Sequence, residues 1–179
     1  MNGRLPVLAF CGPSQAGKET AARWVAACTP LVYPGSLARY LLPHVARRED
    51  LSEIDAWDQR HINRRIWAQA ALEYTRDDPA RLVRDAVARG HLIVGCSSGA
   101  ALAAALAERL VDLTIWIDRV RPEQGDARAQ QRDEPGPTFG PRDCHISVDN
   151  NGSVDELYNR IGALLRFADI PICGSGDPC

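Results

Sequence analysis

LPVLAFC-GPSQAGKET, residues 5 to 20, is the stretch on which the fold turns. LPVLAFC (5–11) is a continuous apolar run, as a parallel strand buried on both faces requires. After the next nine residues, Ala21, Trp24, Val25 and Cys28 recur at i, i+3, i+4 and i+7, one face of an amphipathic helix. Between strand and helix, GPSQAGK (12–18) has the spacing G-x-x-x-x-G-K. Gly12 and Gly17 allow positive φ and close backbone approach, so successive N–H groups can wrap an anion. The helix that begins near Gly17 adds unpaired amides and the positive end of its dipole. Pro13, Ser14, Gln15 and Ala16 line this loop chiefly through their backbones, and Lys18 contributes a point charge. The ligand expected here is the phosphate chain of ATP or a similar triphosphate, with Gly12 to Thr20 as its binding segment.

The next two residues bear on a metal. Where such a loop ordinarily places a Ser or Thr hydroxyl against Mg²⁺, this chain has Glu19, followed by Thr20. A carboxylate there can hold the ion through water, or Thr20 can supply the hydroxyl after a small rotation. Both are carried as metal candidates, with ATP and Mg²⁺ as the expected cofactors.

Outward from the loop the pattern alternates. LVY (31–33) is a short second strand ended by Pro34-Gly35, after which Ser36 can cap a helix carrying Leu37, Tyr40 and Leu41. Residues 51–75 form one long polar helix with Ile54, Trp57, Ile62 and Ile66 among many charges. Asp78-Pro79 is a helix start, with Asp78 as the cap. HLIVGC (91–96) is a third strand, 99–110 an Ala-Leu-rich helix, and LTIWI (113–117) a fourth strand. CHISV (144–148) is a fifth, and Ser153 to Glu156 is a capping box opening a helix with Leu157, Ile161, Leu164 and Leu165. Residues 119–143 hold five Arg, four Pro and three Gly, which makes them a loop or lid and not a core element. The expectation is one α/β domain over residues 1–167, with 168–179 as a flexible tail. Its fold class is a three-layer α/β/α P-loop NTPase fold with a parallel sheet of about five strands.

Composition bounds the rest. The chain has 179 residues, 45% of them hydrophobic, and a formal charge of −2, which suits one cored domain and not a general nucleic-acid glove. No apolar stretch approaches a membrane span, so no membrane partner is expected. Six cysteines are scattered without a CxxC pair, which argues against a disulfide framework or zinc site and for a reducing cytoplasm.

Two segments carry a family resemblance. Gly17-Lys18-Glu19-Thr20 resembles the Gly-Lys-Asp-Thr loop of bacteriophage deoxynucleoside monophosphate kinases. ISVDNNGSVDEL (146–157) is similar to that family's strand-Asn-Asp-Gly-Ser-Leu-Glu-Glu-Leu segment, which lies near the adenine. The resemblance implies that Asn150, Asn151 and Gly152 belong to the base pocket. The chain departs from the family in its short middle, and in Gly95-Cys96-Ser97-Ser98-Gly99, where no carboxylate closes the third strand. Asp118, ending the fourth strand, is an imperfect substitute.

A kinase needs cations around the transferring phosphoryl group and a positioned acceptor. Arg119, with Arg121, Arg128 and Arg132 in the lid, is the candidate for the first task, beside Lys18 as catalytic residue. For the acceptor, Ser36 and Arg39 follow the second strand, where nucleoside monophosphate kinases contact it, and Arg60 and Arg64 share a helix face at i, i+4. Those two can equally form a solvated face balanced by Glu53, Asp55 and Asp58. Asp58 is carried as an acceptor-side residue, and the base is open among His44, His61, Asp55 and Asp58. The reaction implied is transfer of the γ-phosphoryl of ATP to a deoxynucleoside monophosphate. Related phage kinases act on the hydroxymethyl group of 5-hydroxymethyluracil in DNA, a second reading in which modified DNA is the acceptor. A non-catalytic nucleotide-binding module is the third. A phage origin would place the protein in the cytoplasm of an infected bacterium, and a homodimer is left open.

Overall fold

The computed structural model describes residues 4–120 and 137–173. In these residues the chain mixes four strands with helices, most of the helices lying between the first two strands. β1 (Leu8–Cys11) leads through the glycine-rich loop into α1 (Lys18–Cys28), then α2 (Ala38–Arg48), α3 (Glu53–Asp58), α4 (Arg64–Tyr74) and α5 (Arg81–Val87). β2 (Leu92–Val94), α6 (Gly99–Ala107), β3 (Leu113–Asp118), β4 (Ile146–Asp149) and α7 (Val154–Phe167) follow. Single 3-10 turns cover Gln59–His61 and Pro141–Asp143.

The four strands form one parallel sheet in the order β2-β1-β3-β4. The chain leaves β1 toward β2 but leaves β3 toward β4, so the connections diverge at the carboxyl ends of these two neighbours. That divergence opens the crevice in which open α/β sheets bind ligands. Alternation along β1 divides the core into two layers. Ala9 and Cys11 face a cluster with Leu41, Val45, Trp67, Val83 and Leu102, from α2, α4, α5 and α6. Leu8 and Phe10 face the other, with Ala21 and Val25 of α1 and Leu157, Ile161 and Leu165 of α7. Because β1 is covered on both faces, its residues are buried throughout, as its unbroken apolar run requires.

Several expectations change. The sheet has four strands, not five, because residues 31–33 form no ladder. Val32 O accepts from the N–H groups of His91 and Leu92, and Leu37 N donates to Val94 O, so the segment touches the edge of β2 only at its ends. Between them Pro34 has no N–H to give, and Gly35 bends the chain at φ 98°. The single helix expected over 51–75 is three pieces, with a break at residues 59–63. Ile54 and Ile62, whose burial would have justified one amphipathic helix, are both exposed. α5 starts at Arg81 and not at Pro79, although Asp78 Oδ1 accepts from Ala80 N just before it. Ser36 does not cap α2 with its side chain; its carbonyl accepts from Arg39 N.

The cap expected at Ser153 is present on α7, accepting from Glu156 N, and Ser98, which the pattern did not single out, caps α6 by accepting from Ala101 N. At the described end of the chain Ile170 is buried and Cys173 N donates to Cys28 O at 2.7 Å. Cys11, Cys28, Cys96 and Cys144 are free thiols, while Cys173 is disulfide-bonded, where the sequence reading expected no such bond. Among the described residues no helix is long and apolar enough to cross a membrane.

Candidate functional site

The glycine-rich loop lies at the carboxyl end of β1, against β3 and the β4–α7 turn. Its backbone changes hand repeatedly, with φ 131° at Gly12, 59° at Gln15 and 97° at Gly17. Turns of this kind direct N–H groups into a concavity that accepts anions. Both glycines are also required by space. A Cβ on Gly12 would lie 2.4 Å from Ile117 O of β3, and one on Gly17 would lie 2.5 Å from Asn150 Nδ2. Lys18 folds back over the loop, and its Nζ donates to Gly12 O at 2.9 Å and to Pro13 O. These carbonyls hold the ammonium over the loop itself.

Asn150 fixes the loop from below. Its Nδ2 donates to Ala16 O at 2.7 Å, its own N donates to Asp118 O, and the residue is buried. The family resemblance implies a base-pocket residue here; in the structure its amide is turned inward and ties the loop to the β4–α7 turn. Asn151 Oδ1 accepts from Val120 N at 2.7 Å and its Nδ2 donates to Asp149, so it braces the chain just after Arg119. Gly152 sits against Glu156, whose Oε2 would lie 1.7 Å from any Cβ there. Arg119 itself is exposed, one residue beyond the end of β3. Arg121, Arg128 and Arg132 lie outside the described residues.

Beneath the loop are thiols. Burial, reinforced by Cys144 and Cys96, pushes the Cys11 thiol far above its ordinary range, and burial pushes Cys96 up to about 11. They are therefore neutral, apolar packing under the loop, without nucleophilic character. The described end of the 119–143 segment is anchored beside them: Phe139 packs edge-on against Trp116, Thr138 N donates to Ser97 O, and Thr138 Oγ1 accepts from Gly99 N.

Glu19 and Thr20 are exposed on the first turn of α1, with Glu19 Oε2 3.9 Å from Arg23. Among the described residues no three His, Cys, Asp or Glu side chains converge as a metal cage. The oxygen donors of Glu19 and Thr20 suit Mg²⁺, which keeps several waters and takes few protein ligands when phosphate oxygens supply the rest.

A cationic wall stands beside the loop. Arg64, the first residue of α4, donates from Nη1 to Ser14 Oγ at 3.4 Å and from Nε to His61 O. The break before α4 removes the i, i+4 face expected for Arg60 and Arg64. Arg60 turns back instead, its guanidinium 4.1 Å from the Trp57 ring centre and its Nη1 donating to Trp57 O. Arg39 of α2 lies over the same indole at 4.5 Å. Tyr33 connects this group to α1. Burial first, then Glu19, pushes its phenol up to about 12, against the opposing pull of Arg23 and Arg39. Ser36 lies at the end of β2, its Cβ 3.9 Å from where a side chain on Gly95 would begin. Asp58 is exposed at the end of α3.

The structure thus brings Ser14, Lys18, Glu19, Arg39, Arg60 and Arg64 into one neighbourhood. The part played by Trp57 is absent from the linear pattern, since Arg39 is eighteen positions away and on another helix. A shallow groove of about 380 Å³ on the outer side of β4, lined by Ile146, Val148, Ala163, Leu164 and Phe167, is apolar apart from Ser147 and the Asp149–Arg160 pair and has none of this chemistry. The chain matches no protein-family model and no curated protein.

Proposed function

We propose that the chain is a P-loop phosphotransferase that holds ATP at residues 12–18 and transfers its γ-phosphoryl group to a deoxynucleoside monophosphate. The observation that carries this reading is the loop itself: positive φ at Gly12, Gln15 and Gly17 ahead of an eleven-residue helix, with the Lys18 amine folded over it. Backbone N–H groups of the loop and of the first turn of α1 would cradle the phosphates. Lys18 needs only to exchange the carbonyls of Gly12 and Pro13 for phosphate oxygens to follow the transferring group. Bound Mg²⁺ would neutralise charge developing on the β- and γ-phosphates, with Glu19 and Thr20 as the residues placed to hold its water shell.

On the acceptor side, Arg39, Arg60 and Arg64 supply positive charge next to the loop, with Ser36 and Asp58 at its margin. Arg119 stands at the end of β3, the neighbour of β1, where it can close on the nucleotide. In transfer, the bond from the γ-phosphorus to the bridging oxygen breaks and one to an acceptor oxygen forms. A second reading retains the donor site and takes hydroxymethylated DNA as acceptor. The observation favouring it is that Arg39 is exposed and Arg60 and Arg64 are only half-buried.

A radiolabelled-ATP transfer screen across the four deoxynucleoside monophosphates and hydroxymethylated duplex DNA tests both, with Lys18→Ala alongside. Transfer to a monophosphate supports the first reading, and transfer to DNA alone replaces it with the second. Tight nucleotide binding with no turnover on either acceptor makes the chain a non-catalytic module. A folded Lys18→Ala protein with full activity would sink the loop assignment.

A further inference from the structure

We propose that Trp57 is a positioning residue whose indole holds Arg39 and Arg60 together as a two-guanidinium receptor for the phosphate group of the acceptor. This rests on the reading of residues 12–18 as the donor site. The two guanidinium carbons lie 4.5 and 4.1 Å from the centre of one ring, although the arginines come from different elements. Arg4, Arg48, Arg84 and Arg160 each pair with a carboxylate, and Arg81 and Arg89 each lie over a tyrosine ring of their own. Among the described residues neither Arg39 nor Arg60 has a carboxylate ion-pair partner, and the ring is what holds them. Two like charges gathered at one aromatic ring without a carboxylate beside them form a standing demand for an anion.

The ring is fixed in turn. Trp57 packs edge-on against Trp67 with ring centres 6.1 Å apart, and Trp67 is buried in the core under α4. The Arg60 Nη1 bond to Trp57 O fixes that guanidinium further, leaving its other N–H groups for an oxyanion. The position suits an acceptor and not the donor. Arg64, four residues beyond Arg60, already reaches Ser14 of the loop, so the Trp57 group stands outside the loop on its α4 side. An arginine held in place loses less freedom when the anion arrives, so the benefit falls on binding of the acceptor. The shared chemistry is a phosphate oxyanion, from a free nucleotide or from a DNA backbone.

The test is calorimetric titration of the full chain, loaded with a non-hydrolysable ATP analogue, with each deoxynucleoside monophosphate and with a short oligonucleotide. Wild type, Trp57→Leu, Trp57→Phe and Arg60→Gln are compared. Trp57→Leu and Arg60→Gln should each weaken binding of the monophosphate by about tenfold or more. Trp57→Phe should retain most of it, and affinity for the ATP analogue alone should not change. The same dependence seen only with the oligonucleotide assigns the receptor to a backbone phosphodiester. Unchanged monophosphate and oligonucleotide affinities in Trp57→Leu would make the stack a purely structural clamp and overturn the proposal. If Trp57→Leu does not fold, Arg60→Gln decides in its place. A wild-type protein that binds the ATP analogue but neither phosphate ligand refutes the receptor and leaves the donor site intact. One that binds a phosphate ligand in this Trp57-dependent way without turnover leaves the receptor intact and refutes the transfer reading.

Discussion

Replacing Asn150 by alanine isolates the tie between the loop and the rest of the fold. The bond removed is Nδ2 to Ala16 O at 2.7 Å, between an asparagine and a loop residue that are both buried. Alanine leaves the Ala16 carbonyl without that donor, and a buried polar group stripped of its partner costs about 1–3 kcal/mol. For a chain of this length each kcal/mol moves Tm by about 2–4 °C, so Tm should fall by about 2–12 °C. The loss is local to the loop, because Asn150 also packs against Gly17, which must keep its left-handed conformation for the helix to start there. Nucleotide affinity should therefore fall along with stability. Differential scanning fluorimetry with and without ATP and Mg²⁺ reads both quantities: the apo Tm drops, and the ligand-induced rise shrinks. Asn150→Asp should be worse than alanine, since it places a carboxylate oxygen opposite a carbonyl. An apo Tm within about 1 °C of wild type, with an unchanged ligand-induced rise, would refute the tie as the device that sets the loop.

Other outcomes follow from the same geometry. Gly12→Ala forces an L-residue to φ 131° with its Cβ 2.4 Å from Ile117 O; the backbone strain alone is about 1–3 kcal/mol, to be read as a lower denaturation midpoint. Glu19→Ala removes an exposed pair with Arg23 and should change stability by less than about 1 kcal/mol, while raising the Mg²⁺ concentration needed for activity. An unchanged Mg²⁺ titration would take Glu19 out of the metal site. The phenol of Tyr33 is raised to about 12, so the native state keeps its proton where the unfolded chain, with a phenol near 10, begins to release it. Stability is therefore lost as pH rises from about 10 toward 12, and Tyr33→Phe should make the alkaline fall in Tm shallower. Tyr40 and Tyr74 are raised as well, so part of the slope should persist.

How much was legible follows from how local each signal is. The first strand and the α1 face are set by residues within twenty positions, and both appear inside the stretches the pattern marked, the strand shortened from 5–11 to Leu8–Cys11. The cap at Ser153 is similarly local. LVY failed as a strand because strand formation needs a partner ladder, and the Pro34-Gly35 bend lets the segment meet β2 only at its ends. The long helix failed because the chain breaks at residues 59–63, and Ile54 and Ile62, two of the four apolar residues that mark it, face solvent and do not tie it to the core. Asn150 was singled out from its resemblance to a base-binding segment, yet its contact with Ala16 spans 134 positions and no spacing rule reaches so far.

By itself the sequence determined an alternating α/β chain with a glycine-rich turn and a lysine ahead of an amphipathic helix. Those features depend on side-chain periodicity and on the φ values that glycine alone tolerates easily, both properties of short segments. Only the tertiary structure decided that β1 lies between β2 and β3, that Asn150 holds the loop from the far end of the chain, and that Trp57 gathers Arg39 and Arg60. The physical reason is that burial and hydrogen-bond completion are satisfied over the whole fold. Which distant residue completes the Ala16 carbonyl, or lies under two guanidinium groups, depends on how the layers close and not on any local spacing.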